Sequence, residues 1–321
     1  MRVSLSGATG FVGSHLVDAL LEQGHEVTAL VRSPARARAL DTRVTLVPGD
    51  LDDPQALRDV CAGQDVVFHV AGLTAARSES EFLRVNREGT ARLLEAAATE
   101  AVGRFVLVSS LAAAGPSRVG EPRAGGETPA PVTAYGRSKL AAEAVVREGP
   151  IPWTILRPPT VYGPRDREVL RVFQAVKLGI APVFGRGTQE LSAVYGPDLA
   201  AALVAAAGAE TAAGRTYHPA HPEVFTSTDM VRAIARAMDT PVRLVPLPGG
   251  LARGLLALTG GYARLRNRAT ILNPDKANEF LAAAWTCDPT PLIRDTGWQP
   301  AHDLERGVAA TLAWYRENKW L

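Results

Sequence analysis

The sequence predicts an α/β protein: a doubly wound parallel sheet over residues 1–160, then a smaller, mainly helical C-terminal lobe over 161–321 from which the chain is free to return to the sheet. Three observations carry this. Short β-branched apolar runs alternate with longer helical patterns as far as Arg157. A glycine-rich turn follows the first of those runs at once, and beyond Arg157 the rhythm changes to Pro/Gly punctuation and Ala-rich helices. The strands read at 2–6, 26–32, 44–48, 66–70, 104–109 and 153–157. Most are near-continuous apolar runs, as expected of strands covered on both faces. Helices fall between them at 13–23, 54–61, 79–99 and 134–148, with a weaker one at 34–40; further on, 197–208 and 228–238 are helical. Residues 248–261 are rich in Gly and Leu and read either as a mobile cover or as a helical hairpin.

Composition narrows the function classes. With 321 residues, 46% of them hydrophobic, the chain can bury one large core or a core and a lesser lobe. A net charge of +2 without a basic block argues against a nucleic-acid partner. Cys61 and Cys287 stand in unrelated contexts, so no disulfide framework is expected, and a reducing, cytoplasmic setting is the default. The glycine turn at Gly7 comes too early to leave room for a signal peptide. Apolar stretches such as 199–209 fall short of the roughly 20 residues a spanning helix needs. No integral membrane segment is therefore expected. Residues 251–258, interrupted by Arg253, leave peripheral membrane contact open.

The turn itself reads Gly7-Ala8-Thr9-Gly10-Phe11-Val12-Gly13 and opens an amphipathic helix. Glycines let the backbone approach a pyrophosphate, and the helix N-terminus offers that anion unpaired N–H groups and a partial positive charge. Gly7, Thr9, Gly10, Phe11, Val12 and Gly13 are thus candidates for dinucleotide binding on a Rossmann sheet; the competing reading is a tight turn that binds nothing. At the end of the second strand, Leu30-Val31-Arg32-Ser33 places a basic residue where an acidic one would accept from a ribose hydroxyl. Arg32, with Ser33 and Arg36 beyond it, favours the 2′-phosphate of NADP over NAD, unless Arg32 is simply a solvated surface residue.

The turn resembles that of the extended short-chain dehydrogenase/reductases, the epimerase/dehydratase branch, with Ser6 in place of the usual first Thr. The resemblance extends through Asp50-Leu51, which it would place beside adenine, and through Val70-Ala71-Gly72, which would leave room for ribose and phosphates. A helix cap is the alternative for Asp50. Asn86, in Val85-Asn86-Arg87-Glu88-Gly89-Thr90, matches the branch's V-N-x-x-G-T and is expected to steady strand ends beneath the substrate.

Tyr135 and Lys139 form a Y-x-x-x-K pair, spaced so that phenol and ammonium share one helix face. A nearby cation is expected to lower the phenol pKa, so that Tyr135 exchanges a proton with a carbonyl or alcohol oxygen. The spacing alone is common; its place after the fifth strand gives it weight, because that strand runs into Ser109-Ser110 at the carboxyl edge of the sheet. Alignment with the family pattern makes Ser110 the catalytic and substrate-positioning serine, Ser109 a structural support, and Lys139 a second holder of the nicotinamide ribose beside Tyr135. Leu156-Arg157-Pro158-Pro159-Thr160-Val161-Tyr162-Gly163-Pro164 resembles the branch's L-R-P-x-x-V-Y-G-P, which puts Pro158, Thr160 and Val161 near the nicotinamide; Tyr162 also reads as plain core packing.

Weaker likeness persists at 195–200 and 297–300. Sugar-nucleotide epimerases usually carry an arginine after a glutamine to pair with diphosphate, whereas this chain has Gln189-Glu190-Leu191. That points toward the dihydroflavonol-reductase-like and 3β-hydroxysteroid-dehydrogenase-like members. The expected activity is NADP-dependent hydride exchange with a carbonyl or secondary alcohol of a small apolar substrate. The alternatives are a nucleotide-sugar epimerase/dehydratase and a dinucleotide-sensing regulatory protein. His218-Pro219-Ala220-His221 lacks further ligands at metal spacing, so no metal is expected. A homodimer is what the resemblance implies.

Overall fold

Seven parallel strands form the central sheet of the computed structural model, which describes residues 1–266, 268–271 and 274–321, apart from the side chains of Pro34, Arg36 and Arg264. The first six, in chain order, are β1 (Arg2–Ser6), β2 (Glu26–Val31), β3 (Thr45–Pro48), β4 (Val66–His69), β5 (Arg104–Val108) and β6 (Trp153–Leu156). Their spatial order is β3-β2-β1-β4-β5-β6, and a seventh strand, Arg215–Tyr217, extends the edge beside β6. The order reverses between β1 and β4, so a crevice opens above their carboxyl ends, where doubly wound sheets hold ligands. The seventh strand escapes the sequence reading because three residues, Arg-Thr-Tyr, carry no apolar run. It brings the chain back to the sheet after the lobe has begun.

Side-chain pattern explains the layers. Val3 and Leu5 of β1, Phe68 of β4, and Phe105 and Leu107 of β5 are fully buried, as strands sandwiched by helices require. On one face, helix Phe11–Glu22 packs against Gly196–Gly208, whose Leu199, Ala200, Ala202, Leu203 and Ala206 have no exposed surface; the small residues allow close approach. On the other face, Pro54–Cys61, Gly89–Thr99 and Ala134–Glu148 cover β4, β5 and β6. Asp53 caps the first of these, accepting from the Gln55 and Ala56 N–H groups, and Thr133 caps the last through the Gly136 N–H. A separate core in the lobe gathers Tyr162, Phe173, Ile234, Val308 and Tyr315, and it is crossed by short two- and three-stranded sheets that the expectation of a mainly helical lobe omitted.

Two helical expectations are corrected. Residues 79–99 are not one α-helix: a turn at Glu79–Phe82 passes through a π-helical stretch, Leu83–Glu88, before Gly89–Thr99. The extra residue in the wide turn accompanies an inward Asn86, a placement an unbroken 3.6-residue repeat does not anticipate. Residues 248–261 form no hairpin; a continuous helix runs Gly249–Leu265, its glycines tolerated because none of them is required to turn. Among the described residues no helix is long and apolar enough to cross a membrane.

Candidate active site

The loop between β1 and helix Phe11–Glu22 is shaped by its glycines. Gly7 has φ +82°, and a Cβ there would lie 2.7 Å from the Ala71 nitrogen; one on Gly13 would lie 2.1 Å from the Gly7 carbonyl oxygen. The β1 loop is thereby pressed against Val70 and Ala71 at the end of β4. Gly10 takes the N-cap position with no capping side chain, so the first N–H groups of the helix are left for an anion. The Phe11 ring packs against His15 and faces Gly196, which leaves its backbone rather than its ring as the contact surface. Thr9 is exposed beside them.

Arg32 directly follows β2, exposed, with no hydrogen bond or ion pair among the described residues. The Arg36 side chain, which the sequence reading set one turn further on, lies outside the described residues. Asp50 closes a local turn by accepting from the Asp52 N–H at 2.8 Å, while the helix cap that sequence offered as its other role belongs to Asp53. Leu51 is half-buried beneath Gly89, where a Cβ would clash with it at 2.8 Å, and its carbonyl accepts from Arg92.

Beneath the crevice runs a chain of buried polar groups. Thr90 Oγ1 donates to the Asn86 carbonyl at 2.5 Å, so it accepts from His69 Nε2 at 2.9 Å; His69 Nδ1 then accepts from Ser6 Oγ at 2.6 Å. Burial, and then the charge of Lys139, press the His69 pKa down to about 3, which keeps the ring neutral and the relay intact. The Asn86 side chain accepts from the Leu73 N–H at 2.7 Å and donates to the Leu73 carbonyl and to Ser138 Oγ at 2.9 Å. Ser138 in turn donates to the Tyr135 carbonyl. Asn86 thus ties the segment after β4 to the helix that carries Tyr135. Of this relay the sequence singled out Asn86 but not His69 or Thr90; only their buried surroundings reveal them.

The two serines after β5 have separate partners. Ser109 is buried and donates to Glu143 Oε1 at 2.5 Å. Glu143 is also gripped by Arg157 at 2.6 Å and Arg147 at 2.8 Å. Burial pushes the Glu143 pKa up, but the Arg157 hydrogen bonds and charge outweigh it and hold the carboxyl below its usual value. Ser110 caps the short turn after it through the Ala112 N–H and faces the Tyr135 phenol, whose pKa it draws down. Burial is the larger influence, and the phenol rises to about 12. This reverses the expectation that Lys139 would depress it: Lys139 instead donates to the Val108 carbonyl at 2.8 Å, and burial lowers the ammonium to about 8, with Glu143 opposing. An ammonium has three donors. Its Nζ lies beside Gly72, where a Cβ would approach to 3.7 Å, so Gly72 keeps that side open.

Pro158 is buried and its carbonyl accepts from Leu111; Thr160 and Val161 form a short strand, Thr160–Tyr162, paired with Ala193–Tyr195. Tyr162 is fully buried against Tyr195 and His221, in the lobe core. His218 and His221 are both buried in a loop after the seventh strand.

Over Tyr135 stand groups that no motif announced, Phe82 from the first half of the chain and the rest from the lobe. Phe82 lies 5.9 Å from the Tyr135 ring and the Lys276 ammonium 5.8 Å from it, and Phe280 stacks on Phe184 at 4.5 Å. Asp275 accepts from the Ala134 N–H at 2.7 Å and Glu279 from Thr133 Oγ1 at 2.7 Å. Lys276 pairs with Glu279. The only signal in the sequence is the charged cluster Asp275, Lys276, Glu279 just after Pro274.

Residues 3–218 match the NAD dependent epimerase/dehydratase family. The chain belongs to that family. It is accordingly an NAD(P)-dependent oxidoreductase of the extended short-chain dehydrogenase/reductase type. It is 36% identical to the ceramide reductase of Caulobacter vibrioides over 99% of this chain and 96% of that one. It is 27% identical to a 3-beta-hydroxysteroid dehydrogenase of Mycolicibacterium neoaurum, covering 98% of this chain and 92% of the relative. Its fold superimposes on the UDP-glucose 4-epimerase of Thermotoga maritima, solved with UDP-glucose, at TM-score 0.81 and 22% identity, over 99% of this chain and all of the other.

The dinucleotide such enzymes use fits the residues present. The uncapped helix N-terminus suits a pyrophosphate, and the buried Lys139 ammonium, with one carbonyl partner for three donors, suits a pair of ribose hydroxyls.

Proposed function

We propose that the protein is an NADP-dependent reductase or dehydrogenase acting on a carbonyl or secondary alcohol of a small apolar molecule. The observation that carries this reading is the setting of Tyr135: its phenol faces the Ser110 hydroxyl, while Phe82 flanks the ring. In this reading Ser110 donates a hydrogen bond to the substrate oxygen, and Tyr135 Oη gives that oxygen its proton, or takes one in the reverse direction. Lys139 Nζ holds ribose hydroxyls while Val108 fixes its position. When bound, the dinucleotide supplies the hydride. Asn86 keeps the Tyr135 helix in register with the end of β4. Gly7, Gly10, Gly13 and the backbone of Phe11 and Val12 hold the pyrophosphate. Arg32 takes the 2′-phosphate, Asp50 and Leu51 flank adenine, Val70, Ala71 and Gly72 make room for ribose, and Pro158, Thr160 and Val161 border the nicotinamide.

An apolar substrate is supported from two sides. The ceramide reductase and the hydroxysteroid dehydrogenase that resemble this chain act, by their names, on apolar lipids. Glu190, where a diphosphate-pairing arginine would be expected in an epimerase, lies in the lobe and accepts from the Gly120 N–H at 2.9 Å, leaving a carboxylate rather than a cation at that position.

The test is to supply NADPH with long-chain ketones and, separately, nucleotide sugars without added NADPH. Loss of nicotinamide absorbance with the ketones is expected. Conversion of a nucleotide sugar with no net change in absorbance would instead establish an epimerase.

A further inference from the structure

Helix Gly249–Leu265 carries two apolar faces, of which the fold uses one. Ala252, Leu256 and Ala263 are turned inward and buried. Leu251, Leu255, Leu258, Tyr262 and Leu265 are 61%, 51%, 73%, 62% and 83% exposed. Their spacing of four, three, four and three residues sets them on one stripe along four turns of helix. Isolated exposed leucines need no explanation, but a continuous outward row of this kind marks a surface that meets something apolar.

The charges around the stripe say what that is. Residues 240–274 contain Arg243, Arg253, Arg264, Arg266 and Arg268 and not one Asp or Glu, although acidic residues nearly match basic ones over the whole chain, 33 to 35. Arg266 reaches back over the Tyr262 ring at 5.5 Å, so a guanidinium lies beside the stripe's aromatic member, the arrangement in which a long cationic chain keeps its head in water while its stem covers apolar surface. Leucines with a single tyrosine, flanked by arginine and devoid of acids, match the chemistry of an anionic lipid surface. At seventeen residues, with arginine inside it, this helix is not one to span a bilayer.

We infer that helix Gly249–Leu265 docks the protein on an anionic membrane surface, its Leu251–Leu255–Leu258–Tyr262–Leu265 row entering the headgroup boundary and Arg266, beside that row, meeting lipid phosphates. This does not depend on which carbonyl compound the protein reduces, nor on NADP as its cofactor.

Flotation of the full chain with vesicles tests it. Vesicles of phosphatidylcholine with phosphatidylglycerol should carry the protein up, phosphatidylcholine alone should carry much less, and added salt should release it. The double change Leu255→Asp and Leu258→Asp, at exposed positions outside the core, should cut the bound fraction about tenfold or more. The far-UV circular dichroism and the urea unfolding midpoint should be unchanged, which shows the variant to be folded. Arg266→Gln with Arg268→Gln should weaken binding to the anionic vesicles. Absence of flotation with phosphatidylglycerol, equal flotation on both compositions, or an unaltered double variant each overturns the inference. So does light scattering that finds a dimer abolished by Leu255→Asp and Leu258→Asp in a protein indifferent to vesicles, since the row would then cover a second copy of this chain.

Discussion

The Lys139 ammonium donates to the Val108 carbonyl, 2.8 Å away at the last residue of β5, and burial brings its pKa down to about 8. The ammonium is therefore charged below that pH and loses its charge above it. If the cation holds ribose, kcat/KM should fall roughly tenfold per pH unit above about 8. Glu143 opposes the depression, so Glu143→Gln should move that alkaline limb to lower pH. A pH-rate profile of both proteins checks this; an unmoved limb would assign it to another group.

Ser109 and Ser110 should separate cleanly. Ser110→Ala and Tyr135→Phe should each lower kcat by about 10²- to 10⁴-fold while dinucleotide binding persists. Ser109→Ala strips Glu143 of a buried donor and should cost about 1–3 kcal/mol of stability with much smaller loss of turnover. Steady-state kinetics alongside urea denaturation distinguishes the two patterns, and a reversed pattern would make Ser109 the serine that meets substrate.

Glu143 and Arg157 are both almost wholly buried and joined by two hydrogen bonds, 2.8 and 2.6 Å. Removing Arg157 leaves the buried Glu143 carboxylate with only the part-exposed Arg147 and the Ser109 hydroxyl as partners. Arg157→Met is expected to destabilise by up to about 3–5 kcal/mol, less to the extent that Arg147 compensates, and adding Glu143→Met should recover part of that loss, because the desolvation cost disappears with the second buried charge. Chemical denaturation of the single and double variants measures it.

His69 and His218 supply an acid limit. Their pKa values fall to about 3 and about 4, in each case chiefly through burial, from 6.5. Because the folded values are depressed, the unfolded chain binds more protons as soon as pH drops below 6.5. The stability from keeping each ring neutral is complete above 6.5 and is lost as pH falls toward 3 or 4, at about 1.4 kcal/mol per pH unit for each histidine. The melting temperature should decline steadily from pH 6.5 to 5, and His218→Gln should flatten the decline.

Arg32→Ser is predicted to weaken NADPH by about ten- to a hundredfold, the worth of a charge-assisted contact, and to leave NADH nearly unaffected. Fluorescence titration with both nucleotides measures the ratio; tighter binding of NADH by the parent protein would defeat the NADP reading.

Much of the sheet was legible because each strand is an apolar run and each crossover helix has its own amphipathic period: 54–61 and 134–148 coincide with the observed helices to the residue. The glycine turn and the Tyr135–Lys139 spacing were legible for a related reason, since backbone approach and a shared helix face leave local signatures. What stayed hidden depends on contacts distant in sequence. The Arg215–Tyr217 strand is a strand because β6 lies beside it, the wide turn at Leu83–Glu88 accompanies an inward Asn86, and the rise of the Tyr135 pKa comes from burial that no short motif encodes.

Asp275 and Glu279 meet the start of the Tyr135 helix at Ala134 and Thr133, where the aligned peptide dipoles present positive charge. The two acids belong to the second half of the chain and the helix to the first. A chimera that grafts a relative's C-terminal region onto this sheet, in search of a new specificity, must therefore import matching carboxylates, or it will loosen the start of the helix that carries Tyr135.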